Sequence, residues 1–141
     1  MTESPKPNTE FTRMVHDRLP FTAELGLEVM DATLGKLVIR AAWAAQRCTV
    51  GGILHGGYLM AVADSAGGVC AGLNLPPGAS TSTIESKTNF FRGVKEGFIE
   101  AVATPIHVGR TTIVVQTDIT NAEGKLVSRT IQTQAVLTPK G

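Results

Sequence analysis

The 141-residue sequence predicts an α+β domain in which one long central helix is wrapped by an antiparallel β-sheet. Three observations predict it. The stretch from Gly56 to Leu73 is apolar and free of proline, and Pro76-Pro77-Gly78 stops it. The segments around it alternate apolar and polar residues with period two, as half-buried strands do. Short turns such as Asn121-Ala122-Glu123-Gly124 join the later segments, which favours antiparallel neighbours over βαβ crossovers.

Each element follows in order. Residues 1–8 are polar and Pro-containing and are expected to form a disordered tail, leaving 9–141 as a single domain. Thr9 to Asp17 reads as a short helix with Phe11, Met14 and Val15 on one side. Leu19-Pro20-Phe21 breaks it, and Thr22 is placed to cap a further turn through Leu25. Leu27 to Thr33 and Lys36 to Ala42 are strands joined at Leu34-Gly35, and Trp43 to Gly52 is a connection. After the helix, strands are expected at Thr81 to Phe91, Gly97 to His107, Thr111 to Thr120 and Lys125 to Thr138, paired as a meander. No internal repeat or low-complexity segment interrupts them.

Composition narrows the function classes. A formal net charge of +1 without a Lys/Arg run argues against a nucleic-acid binder. With 43% hydrophobic and only 18% charged residues, part of the surface is expected to be buried against copies of the same chain. The two cysteines, Cys48 and Cys70, are too few for a disulfide framework and lack a CxxC spacing, so no metal is expected. The N-terminus lacks the apolar core of a signal peptide. Ile53 to Leu75 is interrupted by His55, Asp64 and five glycines, which argues against a membrane span. A cytoplasmic location is the expectation.

Chemistry concentrates in the helix. Asp64 is the single formally charged residue between Cys48 and Ile84, and a desolvated lone carboxylate must be paired, hydrated or neutralised. The helix is apolar nearly all round, so burial nearly all round is expected. Leu59, Val62, Ala66, Val69/Cys70 and Leu73 would form the sheet-facing stripe, with Met60, Ala61, Gly67, Gly68 and Ala71 beside the acid. His55-Gly56-Gly57 opens the helix, where backbone N–H groups lack intrahelical partners and the dipole is positive. Glycine admits a ligand close to those groups. Aimed at a carbonyl, they stabilise an oxyanion, while Asp64 attacks the carbon or deprotonates a water that does. This combination suits acyl transfer to water.

His55-Gly56-Gly57 followed by Ala63-Asp64 resembles the hotdog-fold acyl-CoA thioesterases of the phenylacetate-degradation and 4-hydroxybenzoyl-CoA thioesterase type. Gly56 and Asp64 fit that family's Asn/Gln, six residues, Gly, seven residues, Asp/Glu pattern. Ile106-His107-Val108-Gly109-Arg110 resembles its turn between two strands, and Ser82 through Arg92 its strand after the helix. The similarity runs from about Leu25 to Leu137. It implies a hotdog fold and an acyl-CoA substrate, with coenzyme A part of the substrate and no separate cofactor. It further implies Asp64 as nucleophile or general base, the Gly56 N–H as oxyanion donor, and Thr83 or Ser82 as the hydroxyl that positions water. Arg92, Lys95 and Arg110 would hold the CoA phosphates, with Gly57, His107 and Gly109 lining the same binding site. The family builds its site across a dimer interface, often in a dimer of dimers. Two helical turns separate Asp64 from its own Gly56 by about 11 Å, so the glycine serving it is expected from the other subunit.

One position departs from the pattern. Thr49 stands where the family has Asn or Gln, and a hydroxyl reaches less far than an amide. Either Thr49 substitutes, or Gln46 or Arg47 swings in. Two other functions compete with hydrolysis: a hotdog hydratase or dehydratase working through His55 and an acid, and a non-catalytic acyl-CoA binder.

Overall fold

A computed structural model describes residues 3–140. Three helices, α1 (Thr9–Arg18), α2 (Pro20–Glu24) and α3 (Gly56–Leu73), accompany six strands: β1 (Glu28–Ala32), β2 (Leu37–Ala42), β3 (Ser80–Phe90), β4 (Phe98–Val108), β5 (Thr112–Asn121) and β6 (Leu126–Leu137). Met1 and Thr2 of the expected tail lie outside the described residues. Asn8, at its other end, caps α1 by accepting the Phe11 N–H at 3.0 Å and donates its own N–H to the Val29 carbonyl. On α1, Val15 is buried while Met14, expected beside it, is exposed. Thr22 lies inside α2 and does not cap it. Its buried hydroxyl donates back to the Leu19 carbonyl at 2.6 Å, and Pro20, with its φ preset, occupies the first turn.

All strand pairs are antiparallel, in the order β1-β2-β4-β5-β6-β3. The expected meander therefore holds for β1-β2 and for β4-β5-β6 only. β3 follows a helix and not a tight turn, so it is free to cross to the far edge, where it pairs with β6 and leaves its other side open. Inward residues alternate along the strands: Leu37, Ile39 and Ala41 on β2, Ile99, Ala101 and Ala103 on β4, Ile113, Val115 and Ile119 on β5. They pack against Leu59, Val62, Ala63, Ala66, Cys70 and Ala71 of α3.

α3 is not buried all round. Its sheet-facing side is sealed, but Gly57, Met60, Asp64 and Gly72 are exposed, because the sheet covers one side only. Gly67 and Ala71, expected beside the acid, instead face the sheet. Asn74 ends the helix before the prolines, its amide donating to the Cys70 and Leu34 carbonyls. No helix among the described residues is long and apolar enough to cross a membrane.

Candidate active site

Asp64 projects from the middle of α3 toward β3. Its Oδ1 accepts the Thr83 hydroxyl and the Gln132 amide, each at 3.3 Å. Behind them Gln134 Nε2 donates to Thr83 Oγ1 at 2.7 Å, and Thr81 Oγ1 donates to Gln134 Oε1 at 3.1 Å or to the Ala135 carbonyl at 2.8 Å. Strand alternation decides between the two hydroxyl candidates: Thr81 and Thr83 face the helix, while Ser82 lies on the opposite face. Ser65, the acid's neighbour, bonds back to the Ala61 carbonyl and leaves Asp64 alone. The carboxylate lines a cavity of about 390 Å³ with Thr83, Gln134, Gly68, Val69, Leu19 and Phe21. One wall is polar and charged, the other apolar.

The helix start forms a second centre. His55 is the N-cap, and its Nδ1 accepts the Gly57 N–H at 2.8 Å. That occupies the Gly57 donor and fixes the imidazole, whereas the Gly56 N–H, at the first helical position, has no partner within the helix. A cavity of about 460 Å³ adjoins this turn, bordered by His55, Gly57, Gln46, Arg47, Tyr58 and Phe21. Arg47 is committed here: it donates to the Ala42 carbonyl at 2.6 Å and lies 5.5 Å from the Tyr58 ring centre. Burial pushes the Tyr58 phenol above its ordinary range, and the Arg47 charge draws it part of the way back. Thr49 is exposed at the head of a short turn, its N–H donating to the Ile53 carbonyl. Of the groups considered for the missing family amide, Gln46 is the exposed one on this cavity.

Asp64 and Gly56, eight residues apart, are separated by about 12 Å along the helix axis. The expected phosphate-binding groups are split as well. His107 lies near the end of β4, and Gly109 and Arg110 are in the β4–β5 turn, whose Thr111 carbonyl accepts from Val136 at the β3 start of the sheet. Arg92 follows the other end of β3, bonded through its N–H to Val127, and Lys95 borders a cavity with Asn121 and Glu123. One chain thus carries these cations at opposite ends of the sheet. No group of three or more His, Cys, Asp or Glu among the described residues converges to hold a metal.

The sequence did not lead to Gln132 and Gln134. The signal was present as Ser128-x-Thr130-x-Gln132-x-Gln134, a polar period-two series on the buried side of β6.

Comparison with known proteins bears on the family and the fold. The Thioesterase superfamily matches residues 51–128, from the turn before α3 into β6. The chain belongs to that superfamily. The ComA2 protein of Bacillus subtilis is 34% identical over 117 residues, covering 80% of this chain and 90% of its own. A 1,4-dihydroxy-2-naphthoyl-CoA hydrolase of Listeria monocytogenes is 28% identical over 103 residues, covering 73% and 84%. Among solved structures, a thioesterase from Haemophilus influenzae superposes with a TM-score of 0.85 at 25% identity, covering 98% of this chain and 93% of that one. With the long helix on its antiparallel sheet, this member of the superfamily is a hotdog-fold thioester hydrolase.

Proposed function

We propose that the protein hydrolyses an acyl-CoA thioester to a free acid and CoA at two composite sites of a homodimer. The observation that carries this reading is the Asp64 carboxylate, held by one oxygen at the mouth of a half-apolar cavity beside an open sheet edge. The thioester oxygen would rest on the Gly56 N–H. Asp64 would take a proton from the water that attacks the carbonyl carbon, and the tetrahedral oxyanion would expel the CoA thiolate, which takes up that proton. Or Asp64 would attack the carbon itself, expelling the thiolate and leaving an acyl anhydride on Asp64; water would then cleave it to the free acid, restoring the carboxylate and protonating the thiolate. Coenzyme A belongs to the substrate, and the reading calls for no further cofactor. Related proteins named as hydrolases of 1,4-dihydroxy-2-naphthoyl-CoA support an aromatic acyl group. Two free thiols fit a reducing cytoplasm.

The geometry of β3 supports the dimer. Thr83 adjoins Asp64, and Phe90, seven positions along, adjoins Gly56 of the same chain. Antiparallel pairing of two β3 edges about a two-fold axis between these positions would set Asp64 of one copy against Gly56 of the other. The same operation would bring Arg110 of one copy to the end holding Arg92 and Lys95 of the other, a charge cluster suited to phosphates. The open α3 face, with Met60 at 40% exposure, offers a further surface through which two dimers would associate.

The test is thiol release from a panel of acyl-CoAs by wild type and Asp64→Asn. Loss of roughly 100-fold or more in the variant is expected. Undiminished thiol release would sink the assignment of Asp64, and loss of enoyl absorbance without thiol release would identify a hydratase instead.

A further inference from the structure

β6 turns a polar face to the helix. Ser128, Thr130, Gln132 and Gln134 alternate inward, each at most 1% exposed. A helix-covered strand ordinarily buries apolar side chains there, because a buried amide is costly unless its hydrogen bonds are made. Two of these amides converge on one oxygen of Asp64, Gln132 directly and Gln134 through Thr83.

Counting protons sets the direction of this network. A carboxamide nitrogen only donates, so Thr83 accepts from Gln134 and keeps its own proton for Asp64. The reverse orientation of the Gln134 amide would turn the Thr83 lone pairs onto the carboxylate, so a charged Asp64 selects the order Thr81, Gln134, Thr83, Asp64. Gln132 is fitted from the helix side. Gly67 lies over it, and a Cβ on that glycine would overlap the Gln132 carboxamide. A glycine is unfavourable in a helix interior, and here the room it leaves is filled by the amide. Gln132 Oε1 is buried without a partner, so the side chain gains its hydrogen bond at the nitrogen end alone.

We propose that Gln132 and Gln134 are positioning residues that tether Asp64 through Oδ1 and leave Oδ2 for the reacting atoms. The proposal rests on the catalytic role of Asp64. It adds that the sheet, through a strand outside the His-Gly-Gly and Asp motif, decides which carboxylate oxygen works.

Steady-state kinetics on one acyl-CoA, with thermal unfolding alongside, test it on Gln132→Met, Gln134→Met and Thr83→Val. Each is expected to lower kcat about 10- to 100-fold, the worth of a hydrogen bond to a charged group. KM should stay within about twofold, since a tether on the acid does not bind CoA. Gly67→Ala is expected to reproduce the Gln132→Met loss, yet to leave kcat unchanged when added to Gln132→Ala, whose shortened side chain makes room for the methyl. Thr83 lies on the exposed edge strand, so its variant reports even if a core substitution fails to fold. Unchanged kcat in folded variants, or a KM rising as kcat falls, overturns the tether. An inactive Asp64→Asn beside unimpaired glutamine variants overturns the tether alone; an active Asp64→Asn overturns the catalytic assignment and the tether with it.

Discussion

The ring of Phe90, from the last position of β3, lies 3.4 Å from where a Cβ on Gly56 would stand, at the first position of α3. That is ordinary van der Waals contact, so the protein interior does not demand a glycine there. Gly56→Ala is therefore expected to keep its stability within about 1 kcal/mol of wild type in thermal unfolding. Its kcat/KM should nevertheless drop by about 10-fold or more, because the added methyl stands where the thioester oxygen must approach the N–H. A variant that melts early would mark Gly56 as a packing residue instead.

Mixing tests whether the site is shared. Asp64→Asn and Gly56→Ala chains, unfolded together in equal amounts and refolded, should form one intact site in each mixed dimer. Random pairing then restores about a quarter of wild-type activity. Recovery no greater than the two variants give alone would show that each chain supplies its own complete site.

Phe21 and Leu19 of the N-terminal segment form the apolar wall of the Asp64 cavity, and Phe21 remains 59% exposed. The acyl group is expected to lie against them. Phe21→Ala should lower kcat/KM for the preferred acyl-CoA by about 10- to 100-fold while leaving acetyl-CoA nearly unaffected. An equal fall across all chain lengths would move the acyl group elsewhere.

The two thiols should behave differently. Burial pushes Cys70 up to about 11, whereas Cys48 is half-buried in a connection. A disulfide reagent at pH 8 is expected to titrate Cys48 alone in the native protein and both thiols in denaturant. Because the folded state holds the Cys70 proton more tightly than the unfolded chain does, this group's contribution to stability is complete below its ordinary value near 9.0. It is lost as pH rises from there through about 11. Denaturation of Cys70→Ala and wild type across that range measures it, and parallel pH profiles would exclude the effect.

The sequence disclosed much of the fold because its punctuation is strong. Pro76-Pro77-Gly78, Asn121 to Gly124 and Leu34-Gly35 mark turns, and the intervening strands fall within a few residues of where alternation places them. The far-edge position of β3 was not legible, since period two sets which side chains face inward but not which strand is the neighbour. Asp64 was legible because it is the lone charge in an apolar segment. Among its partners, Thr83 came with the family resemblance, but the glutamines at 132 and 134 look like the solvent face of a strand until the sheet order puts them under a helix. His55 likewise read as a catalyst, and the structure also gives it a capping bond to Gly57 that no spacing rule predicts.

The strand order has a consequence for synthesis. β6 follows β3, β4 and β5 in the chain and lies between β5 and β3, so β3 must wait for β6 to emerge before it has a neighbour in its own chain. Until then Thr81 and Thr83 lack their glutamine partners, and the acid on α3 has no tether. A nascent chain stalled before Leu126 would hold the Asp64 and Gly56 motif in full and still lack the sheet that arranges it. The chemical motif and the strand that arranges it are therefore separated in the time of synthesis.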